Sequence, residues 1–330
     1  MHDTFLLLVC VIILATIFDF INGFHDTANA IATSVSTRVL SPKVAVVMAA
    51  VLNLVGALTG TAVAKTVGSG LVDASSITQV TVISTLMAAI LWDLLTWYFG
   101  LPTSSSHAIL SSLIGAAVAT AGTGIIIQKG VYKVLLALIF SPLVGFLFGF
   151  LLMLLLMWLF GRSPFSIVNS LFNRLQIVSA AYMAFSHGNN DAQKTMGIIT
   201  MALVSYGTLK DFHVPFWVML LCATAMALGT ALGGWRIIKT LGVKLVHLRP
   251  IHGFAAEASA ATVIEVASRF GLPLSTTHII SSTIMGVGAT KRLSAVRWGV
   301  AGRIVLAWIF TLPACALLAW AICKAALLIV

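Results

Sequence analysis

The chain has 330 residues, of which 60% are hydrophobic and only 8% are charged. A soluble domain cannot bury that much apolar surface, so the composition excludes a soluble protein and predicts a multi-pass membrane protein, with the lipid bilayer as its partner. We expect the cell inner (cytoplasmic) membrane as its location. The net charge of +10 does not indicate nucleic-acid binding, because the basic residues are scattered at the ends of apolar runs rather than gathered in one patch.

Apolar runs long enough to cross a bilayer recur along the whole chain. The clearest predicted spans are 4–22, 44–64, 80–99, 132–160, 214–235 and 298–322. The segments between them are rich in Gly and Ser and predict further whole or partial crossings, which gives about ten to twelve membrane-embedded helices. The predicted fold class is therefore an all-α integral membrane protein.

Two polar motifs occur twice in this apolar background. Gly100-Leu-Pro-Thr-Ser-Ser-Ser-His107 returns as Gly271-Leu-Pro-Leu-Ser-Thr-Thr-His278, 171 residues later. Gly23-Phe-His-Asp26-Thr-Ala-Asn29 pairs with Gly188-Asn-Asn-Asp191-Ala-Gln-Lys194, at an offset of 165. Similar offsets predict a duplication into halves 1–165 and 166–330, which together form one membrane transport domain, and an internal repeat in a membrane protein is typical of transporters.

Basic residues differ between corresponding loops of the two halves. Arg236, Lys239, Lys244 and Arg249 form the densest basic group, whereas the matching region of the first half carries Lys65 alone. The positive-inside rule places the basic loop in the cytoplasm. The difference favours an inverted repeat, because equivalent loops then lie on opposite sides of the membrane.

Each Gly-Leu-Pro motif predicts a chain break followed by a helix N-terminus. Proline is accepted in the first turn of a helix, and the Ser and Thr residues behind it can cap free backbone N–H groups. Two such ends that converge offer uncharged hydrogen-bond donors to an oxyanion. The alternative is that the small hydroxyl residues serve helix packing.

Asp26 and Asp191 lie in apolar surroundings, where an ionised carboxylate is costly and indicates function. Amide side chains surround both, and these suit a hard cation or the hydroxyl of a phosphate. A carboxylate beside an anion repels it unless a cation or proton intervenes, so the pair predicts coupling to H⁺ or Na⁺. Protonated phosphate carries P–OH donors for a carboxylate and sulfate has none, which favours phosphate.

Several polar residues keep two interpretations each. Lys194 has Asn29 as its counterpart, and it either contacts phosphate or neutralises a buried carboxylate. His107 and His278, like His25 and His187, either relay protons or hold structural hydrogen bonds. Glu257 shares a helix face with Glu265 and either lines the cavity or pairs with basic residues.

The four motifs, in this order and over essentially the whole chain, closely resemble those of the inorganic phosphate transporter (PiT) family, especially its bacterial low-affinity members. The resemblance implies an inverted-repeat α-helical symporter with two re-entrant hairpins, acting as a homodimer by alternating access. It also implies one shared site for phosphate and a coupling cation. The long hydrophilic loop between halves that many relatives carry is nearly absent here.

Candidate site residues follow from the motifs and the resemblance. The phosphate-binding candidates are Asn29, Ser105, Ser106, Gln193, Lys194, Thr276 and Thr277. The coupling-ion or proton candidates are Asp26, Asp191, Asn22, Asn190, Ser104, Ser275 and Glu257. Asp26 and Asp191 are also the metal ligands if the ion is Na⁺.

Alternatives remain at this point. The bacterial low-affinity members resemble proton symporters that carry neutral metal-phosphate complexes, and other branches use Na⁺, so the substrate is inorganic phosphate with or without a divalent metal. No cofactor is expected. An intramembrane hydrolase is the runner-up, since Ser, His and Asp are present, but no Gly-X-Ser-X-Gly or His-Glu-X-X-His motif supports an enzyme. The third hypothesis is a channel, or a transporter for another oxyanion such as sulfate.

Overall fold

A computed structural model describes residues 2–73 and 76–328. Met1 and residues 329 and 330, the outer ends of the two predicted halves, lie outside the described residues. The regular structure of the described part is helical, apart from one antiparallel bridge between Val72 and Ile126. The predicted all-α fold is thereby confirmed.

Twelve α-helices follow one another in the described residues. The first six are α1 (His2–Ser36), α2 (Pro42–Ala57), α3 (Ala62–Ser69), α4 (Gln79–Phe99), α5 (Ser105–Ala121) and α6 (Gln128–Phe160). The second six are α7 (Phe165–Tyr206), α8 (Phe216–Leu232), α9 (Trp235–Lys239), α10 (Pro250–Arg269), α11 (Thr276–Lys291) and α12 (Trp298–Leu327). A π-helical turn over Thr240–Leu245 extends α9.

Among the helices of the described residues, four are long and apolar enough to span a membrane by themselves: Phe5–Ser36 of α1, and α4, α6 and α12. Two bent pairs also qualify if each is one span: α2 with α3, bent by 70°, and α8 with the segment Trp235–Leu245, bent by 60°. All six predicted apolar runs fall on these elements. Membrane embedding of the more polar helices stays a prediction.

The two groups of six helices match in order, and each group packs against the other. Each begins with a long helix and a bent pair, continues with two helices joined by a Gly-Leu-Pro turn, and ends with a long helix that contains a proline, Pro142 or Pro313. Contacts are exchanged between groups: α5 packs on α12 and α11 on α6, while α1 packs on α8 and α2 on α7.

The long helices α1 and α7 run through the same two apolar cores in opposite directions. Phe18, early in α1, lies in one core with Met196, which is late in α7. Ile31, late in α1, lies in the other core with Met183, which is earlier in α7. The polar motifs of both helices fall between these residues, so the apolar cores enclose a polar layer.

Glycines permit the closest helix contacts, at matching places in both groups. A Cβ at Gly188 would lie 2.2 Å from the carbonyl oxygen of Asn53 in α2, and one at Gly23 would lie 2.3 Å from that of Met226 in α8. A Cβ at Gly286 of α11 would lie 2.1 Å from the carbonyl oxygen of Phe146 in α6. Real Cβ atoms are excluded at such distances, so these crossings require glycine.

Gly286→Ala is therefore expected to destabilise the protein by about 1–3 kcal/mol, because the added methyl forces α11 away from α6. The measurement is the thermal midpoint of the purified protein in detergent. Gly302→Ala is the control, since a Cβ at Gly302 in α12 has no atom within 4 Å. Equal midpoints for the two variants contradict the packing described.

Candidate functional site

Both Gly-Leu-Pro motifs build the same local structure. Gly100 and Gly271 each adopt a left-handed backbone with φ of 65°, which ends the preceding helix. Ser104 accepts a hydrogen bond from the backbone N–H of His107 at 3.1 Å, and Ser275 accepts one from that of His278 at 3.2 Å. Ser104 and Ser275, which are coupling-ion candidates, thus cap α5 and α11.

The two helix N-termini meet in the protein interior. The rings of His107 and His278 are 4.4 Å apart, and His278 also stacks on Trp308 at 3.9 Å. The Ser106 hydroxyl donates to the carbonyl of Leu274 at 3.0 Å, which joins the two motifs directly. Among the described residues, no hydrogen bond links either of these histidines to an aspartate, so their position fits a packing role.

Asp191 is the centre of a buried charged network. Lys194, one helical turn further along α7, forms an ion pair with Asp191 Oδ1. Thr276 donates to Asp191 Oδ2 at 3.0 Å, and His187 Nε2 lies 3.4 Å from the same oxygen. Lys194 Nζ also donates to Ser106 Oγ at 2.5 Å. The ion pair of Asp191 and Lys194 therefore connects α7 to both Gly-Leu-Pro motifs.

Asp26 joins this network from α1. Its Oδ1 is 2.7 Å from His25 Nδ1 and accepts a hydrogen bond from Thr277 at 3.4 Å. Asn29 Nδ2 donates to the hydroxyls of Thr276 and Thr277, at 3.2 and 2.9 Å. The two threonines of the second motif thus bind polar groups from both long helices.

We call this set the central polar cluster: Asp26, Asn29, Ser106, Asp191, Lys194, Thr276 and Thr277. All seven are at most 2% exposed. Asp26, His187 and Asp191 each offer one atom within 4.8 Å of the others, so the two carboxylates are close neighbours. Lys194 compensates one of the two negative charges, and the second needs a proton or cation.

Three amide oxygens in this polar layer are buried without a hydrogen-bond partner among the described residues. They belong to Asn22, Asn29 and Asn190. A buried polar atom without a partner costs free energy, and such atoms are rare in folded proteins unless a ligand or water uses them. Their presence beside two carboxylates fits a site for a hydrogen-bonding ligand and a cation.

The sequence pattern of the phosphate transporter family matches residues 22–319. This chain belongs to that family. A probable low-affinity inorganic phosphate transporter of Bacillus subtilis (strain 168) is 49% identical over 311 residues, which is 93% of each chain. A protein of the same description from Rhizobium meliloti (strain 1021) is 50% identical over 317 residues, or 95% of each chain.

A solved structure, "The sodium-dependent phosphate transporter", also matches this phosphate transporter family member. Its TM-score is 0.91 at 26% sequence identity, and the match covers 98% of this chain and 100% of the other. Family membership confirms the resemblance seen in the motifs and the expectation of a transporter rather than an enzyme.

Seven predicted site residues of this family member lie outside the central polar cluster: Asn22, Ser104, Ser105, Asn190, Gln193, Glu257 and Ser275. Gln193 accepts from the backbone N–H of Val63 at 2.8 Å and donates to Asn189, so it binds the N-terminus of α3. Asn190 donates to Ser268 Oγ at 2.8 Å. Ser105 is buried beside Asp93. These residues surround the cluster rather than contact its threonines.

Glu257, a coupling-ion candidate, is fully buried in a separate position. It accepts hydrogen bonds from Thr33 of α1 and from Ser179 and Gln176 of α7. These donors hold α10 against both long helices. No basic side chain of the described residues pairs with Glu257, and its role as a coupling-ion candidate stays a prediction.

Glu257→Ala is expected to lower the free energy of unfolding by about 1–3 kcal/mol, because three buried donors lose their acceptor. The measurement is the thermal midpoint of the purified protein. Glu257→Gln, which keeps an acceptor oxygen, is expected to lose less. The reverse order of the two variants contradicts this structural role.

Of the four histidines with two interpretations each, the structure places His25 and His187 beside the aspartates. His187 precedes Asp191 by four residues, a spacing that puts both on one helix face and could have identified the pair. His25 contacts Asp26, and its other nitrogen lies 3.2 Å from Thr96 Oγ1. The Thr96 contact comes from α4, which no local sequence signal indicates.

Proposed function

We propose that this chain is a secondary active symporter that imports inorganic phosphate across the cytoplasmic membrane, driven by a cation gradient, by alternating access. One observation carries the proposal: Thr276 and Thr277 hydrogen-bond both aspartates and also Asn29. Donors suited to an anion and carboxylates that require a cation thus form one network. Binding of either species changes the contacts available to the other.

Phosphate fits the donors of the central polar cluster. The hydroxyls of Ser106, Thr276 and Thr277 and the amide of Asn29 are uncharged donors, and Lys194 adds one positive charge. Asp26 accepts a hydrogen bond from a P–OH group, which hydrogen phosphate has and sulfate lacks. Free phosphate and a neutral metal-phosphate complex both satisfy this arrangement, and the transport assay below separates them.

We assign the coupling ion as a proton. Each repeated aspartate has an imidazole neighbour, at 2.7 Å for Asp26 and 3.4 Å for Asp191. A carboxylate and an imidazole can share and pass a proton, whereas a Na⁺ site favours oxygen donors alone. Na⁺ is the second candidate, with Asp26 and Asp191 as ligands, because the solved structure of the same fold is described as sodium-dependent.

The proposal includes an inverted repeat of residues 1–165 and 166–330. The opposite directions of α1 and α7 through two common cores support it, as do the matching glycine contacts in both halves. The helix pairs α4–α5 and α10–α11 then enter the membrane as re-entrant hairpins from opposite sides. The homodimer that the family resemblance implies is part of the same proposal.

The test is accumulation of labelled phosphate in proteoliposomes that contain the purified protein. An inward proton gradient is expected to drive accumulation, and an inward Na⁺ gradient at equal pH is not. Omitting Mg²⁺ shows whether a metal complex is carried, and excess sulfate is expected not to compete. Equilibration without accumulation under every gradient contradicts a symporter and indicates a channel.

A further inference from the structure

A cavity of about 420 Å³ with both polar and apolar walls lies between α7, the bend from α2 to α3 and the end of α10. We call it the outer cavity. Its polar lining comes from Thr59, Asn189, Gln193, Glu265, Ser268 and Arg269. Ser268 of its lining accepts a hydrogen bond from Asn190, and Asp191 follows Asn190 directly in α7. One hydrogen bond thus connects the cavity wall to the residue next to Asp191.

Charged and amide side chains along the wall of the outer cavity are linked to one another by an ion pair and hydrogen bonds. Arg269 Nε pairs with Glu265 Oε1 at 3.2 Å, and its side chain is 76% exposed. Asn189 donates to Glu265 Oε2 at 3.0 Å, and Gln193 donates to Asn189 Oδ1 at 2.8 Å. The ion pair engages one guanidinium nitrogen, so the fork of the two terminal nitrogens remains for an anion.

The internal repeat supplies a direct comparison for this cavity. At the offsets of 165 and 171, Asn189 corresponds to Phe24, Ser268 to Trp97 and Arg269 to Tyr98. In that half the rings of Phe24 and Trp97 make an edge contact at 5.4 Å. Arg236 lies over Trp97 at 5.2 Å and over Tyr98 at 5.1 Å. The equivalent space is filled, and we call Phe24, Trp97 and Arg236 the aromatic plug.

The two places lie toward opposite faces of the membrane. Arg236 belongs to the basic segment with Lys239 and Lys244, which the positive-inside rule puts at the cytoplasmic face. The helix α10 starts after Arg249 at the end of that segment, and its 20 residues extend for roughly 30 Å to Arg269. The outer cavity is thus at the end of α10 that lies away from the basic segment, and Arg236 of the aromatic plug belongs to that segment.

We propose that the outer cavity is an outward-facing vestibule in which Arg269 binds inorganic phosphate before the phosphate enters the central polar cluster. The aromatic plug closes the corresponding route to the cytoplasm. This inference rests on the proposed phosphate transport. Phosphate binds the two terminal nitrogens of Arg269, while Nε keeps its ion pair with Glu265 and Asn189 keeps its hydrogen bond to the same carboxylate.

The first test is thiol labelling of Thr59→Cys in vesicles of known orientation, with a membrane-impermeant maleimide. Thr59 is exposed and lines the outer cavity. Labelling is expected from the outer face alone, and phosphate is expected to slow it several-fold. The matched control is Leu232→Cys, which follows Gly229 by three residues as Thr59 follows Gly56, and no labelling from the outer face is expected. The wild-type protein measures background from its native cysteines.

Labelling of Thr59→Cys from the cytoplasmic face, or from neither face, overturns the vestibule. Outer-face labelling that phosphate does not slow overturns phosphate binding there. The same experiment with Asp26→Asn added separates this inference from the proposed function. Phosphate protection is expected to persist without transport, because the vestibule binds before the coupling step.

The second test is the kinetics of Arg269→Gln. The KM for phosphate is expected to rise about tenfold with little change in kcat, because the variant loses an encounter site and keeps the central polar cluster. Arg269→Lys is expected to recover part of the loss, since the charge is kept and the fork is not. An unchanged KM in Arg269→Gln, or a loss confined to kcat, overturns the role of Arg269.

Discussion

Asp26→Asn is expected to reduce proton-driven phosphate accumulation to the level of empty vesicles while the protein stays folded. Asparagine has nearly the same volume and can still accept the hydrogen bond from Thr277. It cannot bind and release a proton, so the step that links phosphate to the cation is lost. The measurement is uptake of labelled phosphate in proteoliposomes, with the elution profile of the purified variant as the check on folding.

The control for Asp26→Asn is Asp211→Asn. Asp211 is exposed in the loop between α7 and α8, outside the repeated motifs. Its replacement removes one negative charge from the protein and is expected to leave uptake unchanged. Accumulation at the wild-type rate in Asp26→Asn contradicts the assignment of this aspartate.

Asp191→Asn is expected to have a second and different effect, namely loss of folded protein. The ion pair between Asp191 and Lys194 is buried, and removal of one partner leaves an unpaired charge at a cost of about 3–5 kcal/mol. The double variant Asp191→Asn, Lys194→Asn removes both charges and places at position 194 the residue type that position 29 has. It is expected to recover folded protein but not uptake.

The measurement for this pair is the yield and thermal midpoint of the single and double variants, followed by uptake. Recovery of stability in the double variant shows that the charges interact, because independent sites add their losses. A double variant less stable than Asp191→Asn contradicts the ion pair. Uptake at the wild-type rate in the double variant contradicts its function.

The sequence predicted the parts of the site that depend on local chemistry. The Gly-Leu-Pro motifs predicted two chain breaks and two capped helix N-termini, and Gly100 and Gly271 with Ser104 and Ser275 form them. Such features follow from the backbone freedom of glycine and from nearby hydroxyls, which a single motif contains. The repeat also predicted that the two halves carry matching elements.

The motifs could not predict the contacts between helices that are far apart in the sequence. Asn29 reaches Thr276 and Thr277 because α1 and α11 pack together, and no local pattern specifies that packing. The position of Gln193 outside the central polar cluster could have been predicted from the sequence. Residues two apart on a helix point about 200° apart, so Gln193 faces away from Asp191, whereas Lys194 shares its face. Neighbouring positions in a motif therefore need not share a site.

The most direct test of proton coupling is to measure whether phosphate entry carries protons into the vesicles. An inward phosphate gradient is imposed on proteoliposomes that enclose a pH-sensitive dye, with no initial difference in pH or Na⁺. We expect internal acidification in step with phosphate entry in the wild-type protein, and none in Asp26→Asn. Phosphate entry in the wild type without greater acidification than in Asp26→Asn contradicts proton coupling through the central polar cluster.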